Sequence, residues 1–247
     1  ISSQVGCSLS CTFCATGKLK RMRNLNADEI FDQVVLVKNT AAEKYNAPLT
    51  NIVYMGMGEP LLNYKEVLAS VEKITSPSGL GMSPKRITVS TAGVSKMISK
   101  LGDDQVKFHL ALSLHAANDE KRNQIMPINE TNSLETLASS LNYFSEKTGT
   151  RPTFEYIAFK DFNDSLKDAQ ELVDFCKKVK SKVNIIEYNS VTGTEFKQTT
   201  KERLLAFTNY LETNGVICNV RHSRGKDIDA ACGQLANKNK LISPELK

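Results

Sequence analysis

The sequence predicts an α/β protein with parallel strands, arranged either as a sheet or as a barrel. Short strand-like segments alternate with amphipathic helix-like segments along the whole chain, which is the pattern of repeated strand–helix–strand units. The length of 247 residues suits a single domain of this class and is enough to bury a sizeable core. Reactive residues also recur just after the predicted strands, where the active sites of parallel β/α folds gather.

The predicted strands are short apolar or β-branched runs that end at a turn or a helix start. The first of them leads directly into a cysteine-rich loop. In chain order the strands are Ile1–Val5, Thr50–Met55, Arg86–Ser90, Phe108–Leu112, Thr153–Ala158, Val183–Glu187 and Val216–Arg221.

Four predicted helices begin with a polar residue three positions before an acidic one, an arrangement that caps a helix start. The pairs are Asn26 with Glu29, Asn63 with Glu66, Ser165 with Asp168 and Thr199 with Glu202, and the helices reach about Lys44, Ile74, Val179 and Gly215. Shorter helices are predicted over Val94–Leu101, Asp119–Ile125 and Leu134–Glu146, with a closing helical turn over Asp229–Ala236.

The most informative motif is a CxxxCxxC loop formed by Cys7, Cys11 and Cys14. Three thiolates in one loop can hold three irons of a 4Fe–4S cubane, which usually has a fourth cysteine ligand. Because this loop offers no fourth cysteine, the fourth iron is open to a non-protein ligand. Radical S-adenosylmethionine (SAM) enzymes use such an iron to chelate SAM, and we expect Phe13 to shield the cluster.

A structural zinc site and a disulfide framework are the alternatives for these cysteines. Cys₃His zinc sites exist, but His109, His115 and His222 lie far along the chain, and zinc motifs usually join two close cysteine pairs. Disulfide scaffolds are short, secreted and dense in cysteine, whereas this chain has 6 cysteines in 247 residues. The cluster is therefore favoured, and unpaired cysteines suggest a reducing compartment.

Five segments that carry polar or reactive side chains follow predicted strands, which predicts that they share one cavity. They are the cysteine loop, Gly56–Pro60, Ser90, Ser113–His115 and Asn189.

The net charge of +5 permits an anionic partner without requiring one. No apolar run is long enough to span a bilayer, and no secretory signal is visible. Two basic runs flank the reactive segments and predict contacts with the phosphates of an anionic partner, although a solvated charged face explains such runs equally well. They are Lys18, Lys20, Arg21 and Arg23, then Arg221, His222, Arg224 and Lys226.

Five segments carry a resemblance that covers essentially the whole chain: Ile1–Cys7, Cys11–Gly17, Met55–Asn63, Met126–Asn129 and Asp227–Leu235. Together they resemble the RlmN/Cfr family of radical SAM adenine methyltransferases, which act on 23S ribosomal RNA and, in RlmN members, also on tRNA. The resemblance implies a partial (β/α)6 barrel, a 4Fe–4S cluster, SAM, a cytoplasmic location, an electron donor such as flavodoxin or ferredoxin, and no membrane partner.

The resemblance also implies roles for individual residues. Cys7, Cys11 and Cys14 match the cluster ligands, and Cys232 matches a cysteine that carries the methyl group before it reaches adenine C2. The positions that match SAM contacts are Gly58, Glu59, Ser90, Ser113, Leu114, His115 and Asn189. For Glu59, the resemblance implies that its carboxylate accepts a charge-assisted hydrogen bond from the ammonium group of SAM. We expect Cys176 and Cys218 to have no chemistry, since they lie in a helix pattern and in an apolar strand.

In the implied mechanism one SAM methylates Cys232 and a second yields a 5′-deoxyadenosyl radical, which activates the S-methyl group for addition to adenine. A second cysteine then attacks the Cys232 sulfur and releases the methylated base. In the family that cysteine lies just before the region matching Ile1, and an accessory domain precedes it. We therefore expect residues 1–247 to be the catalytic domain of a longer enzyme.

Three other functions remain as alternatives. A Cfr-type enzyme would methylate adenine C8, although the Glu59-Pro60-Leu61-Leu62-Asn63 segment is more similar to RlmN. An electron-transfer iron–sulfur protein would need a fourth cluster ligand and no SAM site. A non-catalytic RNA-binding protein would not need three closely spaced cysteines.

Overall fold

The computed structural model describes residues 1–222, 231 and 233–235, and its centre is a parallel sheet of six strands. The strands lie side by side in chain order, so each crossover leads to the neighbouring position. Within the described residues the sheet is open between its first and last strands, which confirms the predicted partial barrel. Its strands are β3 (Ile52–Tyr54), β4 (Ile87–Thr91), β5 (His109–Ser113), β6 (Thr153–Ala158), β7 (Lys182–Glu187) and β8 (Cys218–Arg221).

Two further strands are short and form a separate antiparallel pair, β1 (Gln4–Val5) with β2 (Arg23–Asn24). The prediction of a strand over Ile1–Val5 within the main sheet is therefore wrong in part. The Ile1 amine donates a 2.8 Å hydrogen bond to the Val53 carbonyl oxygen, so the chain starts beside β3. It then turns at Gly6 (φ +76°), where a Cβ would lie 2.3 Å from the Lys20 carbonyl oxygen. Only glycine allows this close approach, which closes the cysteine loop at its base.

Seven α-helices pack around the sheet in the described part of the chain, and 3₁₀ turns follow the cysteine loop and the Gly58–Glu59 segment. The helices are α1 (Ala27–Tyr45), α2 (Tyr64–Thr75), α3 (Ser95–Asp103), α4 (Asp119–Ile125), α5 (Leu134–Thr148), α6 (Leu166–Lys178) and α7 (Lys201–Thr213).

Two predicted helix caps are confirmed as complete capping boxes, at Asn26 before α1 and at Ser165 before α6. The other two predictions are wrong in detail. The Asn63 amide instead donates hydrogen bonds to the Ser3 and Leu25 carbonyls, because it is buried between the chain start and α2. Helix α7 is capped by Thr200 rather than its neighbour Thr199. The closing turn predicted over residues 229–236 lies largely outside the described residues.

The main core fills the space between the sheet and the helices, and a smaller apolar cluster covers the carboxyl ends of the strands. Phe13 of the cysteine loop belongs to this smaller cluster, with Ile125, Phe159 and Tyr188. The cysteine loop is thereby packed onto the end of the sheet by ordinary burial of apolar side chains. Among the described residues, no helix has the length and apolar character needed to cross a bilayer.

Candidate active site

The three cysteines of the loop face one cavity at the carboxyl end of the sheet. Cys7, Cys11 and Cys14 are partly exposed and free of disulfides. The loop is tightly wound: the Cys14 amide donates to the Cys11 carbonyl at 3.2 Å. Gly17 approaches this turn so closely that a Cβ there would lie 2.7 Å from the Cys11 carbonyl oxygen. Local backbone geometry therefore holds the three thiols toward the same space.

Burial opposes ionisation of two of the loop thiols. It raises the pKa of Cys7, and it raises the pKa of Cys11 to about 12, with Cys14 and Cys7 adding to the effect on Cys11. Thiols that bind a metal lose their protons, so metal binding would reverse this effect. In the part of the chain that the structure describes, no three ligand side chains converge on a single ion. Separated thiols around one cavity suit a polynuclear cluster, in which each thiolate binds a different iron.

The segment after β3 forms the second wall of the cavity. Gly58 has a φ of +95°, and a Cβ at this position would lie 2.5 Å from the Gln4 side chain. Glu59 next to it is almost fully buried, and burial raises the pKa of its carboxyl group. Its two oxygens accept hydrogen bonds from the amides of Leu61 (3.0 Å) and Ala92 (2.7 Å). The carboxylate thus ties the start of a 3₁₀ turn to the end of β4.

The ends of β4 and β5 contribute two hydroxyl groups to the same cavity. Ser90 and Ser113 both line it, and their Oγ atoms lie 3.4 Å apart. The strand register explains the pairing, since Ser90 is the partner of Ala111 and Ser113 follows two residues later on the same face. Leu114, by contrast, is fully buried in the main core, and its amide donates to the Glu155 carbonyl. Any contact it makes in the cavity would come from its backbone.

His115 enters the cavity wall in a left-handed backbone conformation, with a φ of 56°. Its Nδ1 accepts a hydrogen bond from the Ile157 amide at 3.1 Å, so a neutral ring carries its proton on Nε2. Burial, together with the Arg122 charge, lowers the pKa of His115 to about 3. The ring meets Phe13 edge-on, with 4.8 Å between centroids. His115 is therefore a neutral hydrogen-bond donor and apolar support for the cysteine loop.

The C-terminal segment reaches the cavity from the other end of the chain. Gly233 and Leu235 line the cavity, and their carbonyl oxygens accept hydrogen bonds from the Ala15 amide (2.8 Å) and the Thr16 hydroxyl (2.6 Å). Cys232, the predicted methyl carrier, lies outside the described residues. Asn189 is buried after β7 but is not among the described residues that line the cavity.

Most described members of the two basic runs already have partners on the protein. Lys18 donates to the carbonyls of Thr192 and Gly193, and Arg23 is paired with Glu29. Arg221 contacts Glu155 at 3.4 Å, while Lys20 is exposed. Arg224 and Lys226 lie outside the described residues. Part of the run after the cysteine loop is therefore engaged in contacts within the protein, and only the remaining cations are available to an anionic partner.

Two buried charged residues of the site were missed by sequence reasoning. Glu155 points from β6 into the cavity, and burial raises the pKa of its carboxyl group. A carboxylate at an inward position of an otherwise apolar strand is a signal that could have identified it. Arg122 is fully buried, and its guanidinium donates to the carbonyls of Ala92 and Ser113, two residues of the cavity wall. No sequence signal marks it, because a charged residue in a short helix is ordinarily solvent-exposed.

Cys176 and Cys218 are not among the described residues of the cavity wall. Cys176 lies in α6 and Cys218 begins β8, and burial raises the pKa of both thiols to about 11.

The class of protein follows from this arrangement and from comparison with known proteins. The family described as the Radical SAM superfamily matches residues 1–176, which include the cysteine loop and the first four strands of the sheet. Radical SAM proteins use a 4Fe–4S cluster and SAM, the two groups for which the three thiols and the adjoining cavity are suited. A SAM-bound structure of Streptococcus suis SuiB has the same fold, with a TM-score of 0.65 and 17% identity over 90% of this chain and 49% of that one.

Relatives with higher sequence identity show to which family within this superfamily the chain belongs. A probable dual-specificity RNA methyltransferase RlmN from Christiangramia forsetii is 61% identical over 97% of this chain and 68% of its own length. The corresponding protein of Cytophaga hutchinsonii is 60% identical over 96% of this chain and 65% of its length. A crystal structure of a radical SAM methyltransferase from Sphaerobacter thermophilus superposes with a TM-score of 0.92 at 39% identity, over 95% of this chain and 68% of that one. The chain belongs to the RlmN family and spans about two thirds of the length of these relatives.

Proposed function

We propose that this chain carries the catalytic site of an RNA methyltransferase that forms 2-methyladenosine in 23S rRNA and in tRNA. The observation that carries the proposal is the convergence of three segments on one cavity. The cysteine loop, the Gly58–Glu59 turn and the segment around Gly233 all line it. The RNA methyltransferase names of the relatives support RNA as the substrate.

The cysteine loop would hold the 4Fe–4S cluster through Cys7, Cys11 and Cys14. When bound, the cluster supplies the electron that cleaves SAM and generates a 5′-deoxyadenosyl radical. Phe13 is only 6% exposed and covers this end of the cavity with an apolar ring, which keeps water from the loop. We expect a small redox protein such as flavodoxin or ferredoxin to provide the electron.

The polar wall of the cavity would hold SAM. The Ser90 and Ser113 hydroxyls and the Nε2–H of neutral His115 can donate to or accept from its polar groups. Glu59 already accepts two amide hydrogen bonds, yet a carboxylate offers about four acceptor positions and could accept one from the SAM ammonium. Gly58 permits close approach of a ligand to the backbone, since any larger residue would displace Gln4.

Cys232 is our proposed methyl carrier. Adenine C2 is electrophilic and has no nucleophilic lone pair, so it cannot displace the SAM methyl group directly. A cysteine thiolate can: it forms an S–CH₃ bond while the sulfonium C–S bond breaks and S-adenosylhomocysteine leaves. The support for this role is the match of the segment 227–235 to the family and the position of its neighbour Gly233 on the cavity wall.

Ribosomal and transfer RNA are cytoplasmic substrates, and we propose that compartment for the reaction. The target adenine must leave its base stack to reach a recessed cavity, as in other enzymes that modify bases. Exposed cations near the loop, such as Lys20, can position the RNA backbone without selecting a sequence.

A label-transfer experiment tests the proposal. The full-length enzyme is reconstituted anaerobically with iron and sulfide, reduced, and incubated with methyl-labelled SAM and RNA that lacks the modification. We expect label on Cys232 by peptide mass spectrometry and 2-methyladenosine among the digested nucleosides. Cys232→Ala should abolish both signals, whereas Cys176→Ala should retain them. Label on 8-methyladenosine would instead assign the Cfr-type reaction, and a cluster indifferent to SAM would favour electron transfer and overturn the proposal.

A further inference from the structure

Arg122 of α4 is a cation with no exposed surface, held at the carboxyl ends of two strands. Its guanidinium donates to the carbonyl oxygens of Ala92 (2.6 Å), Ser113 (3.1 Å) and Leu114 (3.1 Å). It also donates to the Asn129 Oδ1 atom at 2.7 Å. All four direct partners are neutral, so no carboxylate of the described residues accepts a hydrogen bond from this guanidinium.

Within the part of the chain that the structure describes, a second hydrogen bond leads from Arg122 to a carboxylate. The Asn129 amide that accepts from Arg122 donates in turn to Asp119 at 2.7 Å. Asp119 is exposed, so solvent screens its charge. Burying a guanidinium costs several kcal/mol unless a nearby negative charge offsets it. The neutral carbonyls offset part of this cost, and an anion close to Arg122 would offset the rest.

Arg122 lies behind the cavity wall, because it donates to the carbonyls of Ala92 and Ser113, which both line the cavity, and the cysteine loop is bonded to the same helix. The Thr12 amide donates to the Ile125 carbonyl at 3.1 Å, which joins the residue after Cys11 to the end of the helix that carries Arg122. Cys11 packs against the apolar cluster that contains Ile125 and Met126.

We propose that Arg122 is the buried countercharge of the iron–sulfur cluster and that its positive charge raises the cluster's reduction potential. Three thiolates make the cluster site anionic, and one-electron reduction adds a further negative charge. A fixed cation in a low-dielectric environment stabilises the reduced form more than the oxidised form. The inference rests on the cluster assignment in the proposed function and does not depend on the RNA substrate.

Arg122 also ties together the strand ends that carry Ser113 and Ala92, so a purely structural role has to be distinguished from a charge effect. Two substitutions at Arg122 distinguish the structural role from the charge effect. Arg122→Lys keeps the charge and loses most of the hydrogen-bond geometry, whereas Arg122→Gln loses the charge and keeps a donor. Arg86→Gln removes an equal charge from an exposed position before β4 and serves as the matched control.

The experiment is a redox titration of the SAM-free, cluster-loaded protein with dithionite and mediators, followed by electron paramagnetic resonance of the reduced cluster. We expect Arg122→Gln to shift the midpoint potential to a more negative value, Arg122→Lys to lie near the wild type, and Arg86→Gln to be unchanged. Equal shifts in the Gln and Lys variants would identify a structural role, and no shift in the Gln variant would overturn the proposal.

A second variant covers the case in which Arg122→Gln does not fold. Asp119→Asn leaves Arg122 in place and removes the negative charge that accepts a hydrogen bond from Asn129. Its expected shift is smaller and of opposite sign, toward a less negative potential, and a shift in the other direction would contradict the proposal. Absence of any cluster signal in the wild type would instead contradict the cluster assignment, so the two failures are distinguishable.

Discussion

The main-chain amide of Ala15 donates a 2.8 Å hydrogen bond to the carbonyl oxygen of Gly233. This bond joins the cysteine loop to a segment from the opposite end of the chain. A second hydrogen bond joins the same two segments: the Thr16 hydroxyl donates to the Leu235 carbonyl oxygen at 2.6 Å. Gly233 and Leu235 both line the cavity. Since these two bonds hold them there, their position depends on an intact cysteine loop.

Thr16→Val should weaken this connection. The side chain is 4% exposed, and the substitution leaves the Leu235 carbonyl without its hydroxyl donor, which costs about 1–3 kcal/mol for a buried acceptor. We expect faster hydrogen exchange of the Ala15 amide by mass spectrometry, together with a lower free energy of unfolding. Thr16→Ser keeps the hydroxyl and should exchange like the wild type, whereas equal protection in the Val variant would show that the bond contributes nothing.

Glu59→Gln should destabilise the protein although the two side chains have the same size. Both carboxylate oxygens of Glu59 accept a backbone amide hydrogen bond, from Leu61 and from Ala92. The NH₂ group of glutamine cannot accept, so one buried amide faces another donor, at a cost of about 2–3 kcal/mol.

Urea denaturation measures this change in unfolding free energy. Glu72→Gln, on the exposed face of α2, is the matched control and should differ little from the wild type. If Glu59→Gln unfolds at the wild-type urea concentration, the two amide bonds do not hold this turn.

Acid should destabilise the fold in part through His115. Burial lowers the pKa of His115 to about 3, so between pH 6.5 and 3 the unfolded chain binds a proton that the folded protein excludes. Stability due to this group is therefore fully present above pH 6.5 and is lost as the pH falls, by up to about 1.4 kcal/mol per pH unit.

His115→Asn tests this linkage. Asparagine tolerates the positive φ of 56° and retains an acceptor for the Ile157 amide, but it does not titrate. Unfolding free energies measured by urea from pH 7.5 to 4.5 should fall less steeply in the variant than in the wild type. Identical slopes in the two proteins would mean that His115 binds a proton as readily in the folded protein as in the unfolded chain.

Cys11→Ala should remove the cluster, because two remaining thiols of the loop cannot hold three irons. Iron and acid-labile sulfide analysis after anaerobic reconstitution measures the loss. Cys176→Ala removes a thiol from α6 and should load as the wild type does. Full iron and sulfide content in Cys11→Ala would reassign the ligands.

Much of the fold could be predicted from the sequence because its signals are local. Two capping boxes, at Asn26 and Ser165, involve residues three positions apart, and both are present. The alternation of strands and helices needed no knowledge of distant contacts, since each crossover returns to the neighbouring strand. Asn63 shows where this reasoning stops: its amide bonds to Ser3 and Leu25, which are distant in sequence, and it does not cap α2.

The sequence by itself determined the chemistry that is encoded in spacing: three cysteines in one loop, the Gly58–Glu59 turn and the alternating elements that place them at strand ends. Tertiary structure decided which charges are buried and what they face. Arg122 is an ordinary helix residue in the sequence, but it becomes a buried cation because the ends of β4 and β5 surround it with carbonyl oxygens. Burial and long-range hydrogen bonding are properties of the packed chain, so no local pattern reports them.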